Sequence, residues 1–530
     1  MSSATPEYHP HETAGPSGPE KFPGETAAPA RPEKGHPGEM PAPVLPEKDA
    51  LEETTAPVRL ERDALGELSV PAGAYYGIHS LRAARNFPVS GLPVHPALLR
   101  ALALVKQAAA AANVHAGLLD PETAAAIGRA AAEVAAGKWL DQFIVDALQG
   151  GAGTSTNMNM NEVLANRAIE ILGGNKGDYR LVHPINHVNL SQSTNDVYPT
   201  ALKVAAIRLV LALSEELARL QGALQAREAE FAGVLKLGRT ELQDAVPVTL
   251  GQECGAWAEA VARDRWRLYK VEERLRQVNL GGTAVGTGLN ARKKYIFRVV
   301  EELRTLTGLG LARAENMIDA TQNADVFVEV SGLVKAAAVN LAKIAGDLRL
   351  LSSGPAGGLG EINLPAVQAG SSIMPGKINP VITEMVTQVS FQVICSDQAV
   401  TLAAASGQLE LNAFLPLVAH NLLSGLEMLA NAVAIFNRRC IAGITANEEN
   451  CRRWLRQSRC EATALVPYIG YEQAGRLVEA AAGKNRDIRE AALAAGLFTA
   501  EELAAVFAPA ELTRPGIAGS RRLKHRLPTL

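Results

Sequence analysis

The stretch PTALKVAAIRLVLALSEELARLQGALQAREAEFAGV, Pro199 to Val234, decides the fold. Leu and Val recur through it at helical spacing, which predicts one long helix. Similar stretches run at 249–277, 322–352, 380–406 and 408–438. Ala and Leu dominate the chain, while β-branched and aromatic clusters are scarce, so the expected class is all-α. Helices of roughly 25–35 residues exceed the usual length of about 10–14. Broken by short polar loops, they describe a long central bundle whose apolar faces one chain cannot cover, so an oligomer follows.

Outward from this bundle the composition changes. The first 57 residues hold 12 of the 29 prolines and repeat PEK at 19–21, 32–34 and 46–48. Few large apolar side chains lie there, too few to offset chain entropy, so 1–57 reads as a disordered Pro-rich extension. Residues 58–193 form an N-terminal helical domain, with Ala-rich helix patterns at Pro96–Gly117 and Pro121–Ala136. The bundle domain is placed at 194–445, and a small C-terminal helical domain at 446–530, where the helix patterns shorten.

Composition removes several functions. The 530 residues carry 52 basic and 55 acidic side chains, a net charge of −3, with no basic block for nucleic acid or an anionic membrane. Aromatics make up 5%, too few for a base-stacking platform. The five cysteines (Cys254, Cys395, Cys440, Cys451, Cys460) form no CxxC pair and read as free thiols, with no zinc site. No signal-peptide core and no unbroken apolar run long enough for a membrane span is present. The expectation is a cytoplasmic protein with no nucleic-acid or membrane partner and no metal site.

Four polar loops stand out: GGAGTSTNMN (150–159), SQSTND (191–196), GRTELQD (238–244) and GSSIMPGKINP (370–380). The first is read as a loop to Asn161 that runs into a helix near 162–172. Each alone is ordinary helix-capping chemistry. Together they offer small donors and glycine-freed N–H groups, with Lys377 and Arg239 as cations, which suits a small dicarboxylate. The glycines of GGTAVGTGLN (281–290) follow no strand and precede no suitably spaced acid, so they are not a dinucleotide fingerprint.

GSSIMPGKINP resembles the signature of the class II fumarase/aspartase superfamily, whose members cleave C–N or C–O bonds and release fumarate. The resemblance runs from RLERDALGELSVPAGAYYGIHSLRAARNF (59–87) to near Gly516. QGGAGTSTNMNMNEVLAN, DAVPVTLGQE and NPVITEMVTQVSFQV look like the aspartate ammonia-lyase branch. Where fumarases read GRTHLQDA, this chain has Glu241, a departure from that pattern. HPINHVN (183–189) carries Ile185 and Asn186 where the family commonly has Asn and Asp, so the second carboxylate site of fumarases is not expected.

The resemblance implies a homotetramer with active sites shared between subunits, and reversible deamination of L-aspartate to fumarate and ammonia through an aci-carboxylate intermediate. It makes Ser371 the general base on a mobile lid. Thr154, Ser193, Thr194 and Asn195 would line the substrate cradle, with Ser193 and Thr194 at the carboxylate that becomes the dianion. Lys377 and Asn379 would bind the other carboxylate, Glu241 would recognise the ammonium with Glu384 near it, and Thr240 and Ser372 would be further substrate-binding residues. No cofactor is expected, while activation by a divalent cation such as Mg²⁺ stays open. Two other readings stand beside this one: a class II fumarase with an unusual Glu, and a catalytically silent member of the superfamily.

Overall fold

The computed structural model describes residues 57–484 and 486–527. The Pro-rich extension read at 1–57 therefore lies outside the described residues, Pro57 apart. The chain opens with an antiparallel hairpin, β1 (Val58–Asp63) and β2 (Gly66–Pro71), followed by α1 (Ile78–Asn86). Next come α2 (Pro96–His115) and α3 (Pro121–Ala135). Both begin with proline just inside a capping side chain: His95 accepts from Ala97 N–H, and Asp120 from Thr123 N–H. Proline loses nothing at a position whose N–H has no helical partner.

α4 (Thr154–Ile171) starts eight residues before the expected helix, so the Ser, Thr and Asn of GGAGTSTNMN ride on its first turns. Only residues 150–153 form the turn. Gly153 caps α4 at φ 94°, and a Cβ there would overlap the Tyr198 ring, so glycine is required twice over.

α5 (Thr194–Glu230) spans 37 residues, about 55 Å at 1.5 Å per residue. It begins five residues before Pro199. The Asp196 carboxylate accepts from Ser193 N–H at 3.0 Å, and Ser193 Oγ accepts from Asn195 N–H, which caps the helix ahead of the proline. Pro199 has no N–H for the Asn195 carbonyl; Asn279 Nδ2 donates to that carbonyl instead, at 2.9 Å. From Val197 to Ile207 α5 is buried all round. Beyond that point only a stripe at Val210, Leu213, Leu217, Leu220 and Leu224 is covered.

The hairpin β3 (Leu235–Thr240) and β4 (Gln243–Thr249) leads into α6 (Leu250–Tyr269) and the short α7 (Val271–Leu275). α8 (Lys293–Thr307) and the one-turn α9 (Asp319–Gln322) precede α10 (Asp325–Leu351), α11 (Val381–Ala405) and α12 (Leu415–Arg439). The expected helix at 408–438 begins at Leu415, because residues 408–411 pair as a tight turn.

Side-chain bonds set the directions. Arg265 of α6 donates to Gln221 of α5, and Trp257 of α6 to Asp347 of α10, while Asn340 of α10 donates to Asp264 of α6. α6 is thus antiparallel to both α5 and α10, which run parallel. α11 returns along α10, with Arg349 3.8 Å from Glu384. One continuous apolar core joins α2 through α8 with α10, α11 and α12, and a second, around Leu465, Ile488, Phe498 and Val506, forms within the short helices near the C-terminus.

Three helices are long and apolar enough to cross a membrane, at Pro96–His115, Thr194–Glu230 and Leu415–Gly443. Half or more of each apolar window is already buried against the rest of the chain (72%, 72% and 50%), so this hydrophobicity serves bundle packing.

Candidate active site

The four polar segments fall into two groups at opposite ends of the bundle. The first group is built on the N-termini of α4 and α5. Asn157, one turn into α4, donates to Thr194 Oγ1 at 3.0 Å. Asn195 Nδ2 donates to the Ala284 carbonyl at 2.7 Å, which ties the glycine-rich segment 281–288 to the same place. Thr154, Ser193, Thr194 and Asn195 are thereby gathered around two helix N-termini, whose free N–H groups favour a carboxylate.

Beneath them lies a polar layer that sequence reasoning missed. Asp196, wholly buried, accepts from Gly281 N–H and Thr283 N–H at 3.0 Å each, as well as from Ser193 N–H. Burial pushes its carboxyl up to about 6 against the pull of those N–H groups and of Lys106. Lys106, also wholly buried, donates to Asn189 Oδ1 and Gln192 Oε1 at 2.9 Å each, and burial takes its ammonium down to about 7. The one signal in the sequence was a single charge inside the apolar run ALALVKQAAAAAN (101–113). The glycine-rich segment 281–288 thus closes a loop against Asp196.

The second group sits at the other end, where β3, β4 and the segment after α10 meet. GRTELQD is not an open loop but the tip of the β3–β4 hairpin, with Thr240 paired to Gln243. Glu241 (φ 54°) and Leu242 (φ 62°) make the two-residue turn. Such turns favour Asn-Gly, and each L side chain held there costs about 1–2 kcal/mol. Glu241 is exposed at this strained tip.

Arg239 is not an available cation. Its guanidinium lies 3.0 Å from Glu361, which is completely buried and also lies 3.2 Å from Lys236. Lys236 in turn pairs with Glu253 at 2.8 Å. This cluster bolts the hairpin to the strand that precedes the lid. Glu361→Ala leaves Arg239 without its carboxylate and Lys236 with Glu253 alone, and should destabilise the protein by about 3–5 kcal/mol, read as a lower urea midpoint. An unchanged midpoint would remove the cluster from the fold's supports.

The lid, 370–380, closes on itself. Gly370 N–H donates to the Lys377 carbonyl at 3.0 Å, and Asn379 Nδ2 to the Gly370 carbonyl at 2.8 Å. A Cβ at Gly370 would overlap that Lys377 carbonyl. Ser371 Oγ accepts from Ile373 N–H at 3.2 Å and Met374 N–H at 2.8 Å. Ser372 and Lys377 are exposed. Asn379 keeps its side-chain nitrogen on the lid's own backbone, with a second amide hydrogen still to give. Glu384 lies 3.8 Å from the Arg349 guanidinium.

In HPINHVN, Ile185 and Asn186 are exposed, and His183 Nδ1 accepts from both of their N–H groups. Among the described residues no group of three or more His, Cys, Asp or Glu side chains is placed to hold a metal ion.

How far apart the two groups lie follows from α10. Asn279 bonds both Asn195 and Thr321, so the cradle is level with the start of α10. The lid follows its far end, 27 residues on, about 40 Å away. One chain does not bring Ser371 to Thr194.

Donor-rich helix N-termini, a serine held by two backbone N–H groups and a lysine on the same lid are the parts of an enzyme that removes a proton beside a carboxylate. The family model described as lyase matches residues 66–395, and one described as fumarase C C-terminus matches 462–514. The chain belongs to this family of lyases, the fumarase/aspartase superfamily. Aspartate ammonia-lyases from a Bacillus species and from Escherichia coli K12 are 48% and 44% identical to it, over 85% of this chain and 97% and 95% of theirs. Within the family it stands with the aspartate ammonia-lyases, as a carbon–nitrogen lyase. A solved fumarate lyase:delta crystallin from Brucella melitensis, bound to cobalt, superposes with a TM-score of 0.84 at 48% identity, covering 87% of this chain and all of that one. A class II fumarase from Schistosoma mansoni gives 0.81 at 34%, with the same coverage.

Proposed function

We propose that the chain deaminates L-aspartate reversibly to fumarate and ammonia, with Ser371 as the base. The observation that carries this reading is the pair of N–H groups on Ser371 Oγ. A serine is a poor base unless its alkoxide is stabilised, and two aligned backbone donors do that without a neighbouring imidazole. The alkoxide takes the proton from the carbon beside one carboxylate. That carboxylate becomes an aci-carboxylate dianion in the cradle of Thr154, Ser193, Thr194 and Asn195. The C–N bond then breaks as the C=C bond forms, and ammonia leaves with its electron pair. Each cradle donor contributes roughly 10²–10³ in rate. Lys377, with Ser372 and Asn379, holds the second carboxylate, while Thr240 and Glu241 receive the ammonium.

The cradle and lid are completed between copies of the chain, in a homotetramer. Two observations support it: the separation of the two groups along α10, and apolar side chains left exposed along the bundle. Val339 of α10 and Phe391 and Leu402 of α11 are 50%, 58% and 61% exposed, although α11 is among the most apolar helices of the chain. The proposed reaction runs on side chains and backbone alone, without a cofactor. Five free thiols suit a cytoplasmic setting.

The test follows fumarate by ultraviolet absorbance, from aspartate and from malate. Fumarate from aspartate is expected; fumarate from malate alone would make the enzyme a fumarase, and none from either a silent relative. Glu241→Gln keeps size and removes charge, and should lower kcat/KM for aspartate by roughly tenfold. Unchanged kinetics would leave Glu241 as a turn residue only.

A further inference from the structure

We propose that Lys106, Asn189 and Asn157 form a buried relay that turns Thr194 into a hydroxyl donor for the substrate carboxylate. The inference rests on the reading of Thr194 as part of the cradle. It follows from hydrogen-bond polarity, step by step.

An ammonium has only donors. Lys106 Nζ faces two acceptors at 2.9 Å, Asn189 Oδ1 and Gln192 Oε1, so it presents hydrogen to Asn189 as an ammonium and as a neutral amine alike. The amide is oriented the same way from its other end, where Asn189 Nδ2 donates to the Gln192 carbonyl at 3.3 Å. With Oδ1 facing inward, the next group must present hydrogen. Asn157 does so, its Nδ2 lying 3.2 Å from Asn189 Oδ1. The same Nδ2 lies 3.0 Å from Thr194 Oγ1, and its second hydrogen goes there. Thr194 Oγ1 thus accepts on its inner side.

A hydroxyl that accepts inwardly keeps its own proton for another partner. Among the described residues the Thr194 hydroxyl donates to no protein group, while 8% of the residue stays open to solvent. Its hydrogen is left for what occupies the cradle. A reversed Asn157 would set its oxygen against Asn189 Oδ1, an acceptor that Lys106 already holds facing inward. Lys106 and Asn157 are 0% and 2% exposed, so no bulk water restores a lost polarity. Both are positioning residues, because neither reaches the substrate.

A double-mutant cycle tests this on the assembled enzyme. Thr194→Val should lower kcat by roughly 10²–10³, as for one lost donor, whereas Thr194→Ser, which keeps the hydroxyl, should recover most of that loss. Asn157→Leu should lower kcat by about tenfold or more, with the affinity for succinate, an unreactive dicarboxylate, nearly kept. Combined with Thr194→Val, Asn157→Leu should add less than about twofold, because the donor it orients is gone. Lys106→Met should follow the same pattern. Thermal midpoints check folding, and Asn157→Ser serves if the leucine does not fold. Losses that multiply fully in the double variants overturn the relay and leave the cradle standing. Full activity in Thr194→Val overturns the cradle reading itself, and the relay with it.

Discussion

Ser371→Ala should leave a folded protein whose kcat is lower by at least about 10²-fold, the lower end of general-base loss. The fold should not notice the change. Ser371 lies on a lid whose closure is held by Gly370, Lys377 and Asn379, and its Oγ only accepts from Ile373 and Met374. Its loss frees two N–H groups that water can reach, so the thermal midpoint should stay in place. Turnover is another matter, since alanine cannot accept the substrate's proton, and no second base stands on the lid. The measurement is kcat by fumarate absorbance alongside a melting curve. Activity above about 1% with an unchanged melt would show that Ser371 is not the base.

The second large effect is a gain. Ser371→Ala and Asn195→Ala each disable one end of the bundle, about 40 Å apart in any single chain. If sites combine the lid of one copy with the cradle of another, dissociating a mixture and letting it reassemble creates some sites with both parts intact. Activity should rise at least about tenfold above either parent, because one whole site outweighs many that lack the base or a cradle donor. The control is Ser371→Ala mixed with Lys377→Ala. Those residues share one lid, so no reassembly places both in the same site. A mixture of opposite-end variants that stays at parental activity would mean that each chain completes its own site, against the homotetramer proposed above.

Much of the fold was written locally. Helical spacing of Leu and Val declares the long helices, because periodicity acts within a few residues. The lid was legible as a loop for the same reason: Gly and Pro limit the backbone whatever surrounds them. The family resemblance rested on these local motifs, and the lyase match agrees with it. Local reading failed where distant groups compete for the same backbone. GRTELQD became a hairpin tip although Glu-Leu disfavours the turn, because strand pairing and the Arg239–Glu361–Lys236 cluster hold it there. Arg239 looked like a free cation because Glu361, 122 residues away, gives no sign of itself in the sequence.

By itself, then, the sequence determined the long helices, the loop at 370–380 and the donor types in each polar segment. All of these depend on residue identity and near neighbours. Only the tertiary structure decided which segments share an end of the bundle, that Arg239 is neutralised, that Asn195's carbonyl turns to Asn279, and that Lys106 dictates the polarity beneath Thr194. Hydrogen-bond direction and ion pairing are set by whichever group packing brings to about 3 Å, and that partner is often a hundred residues away.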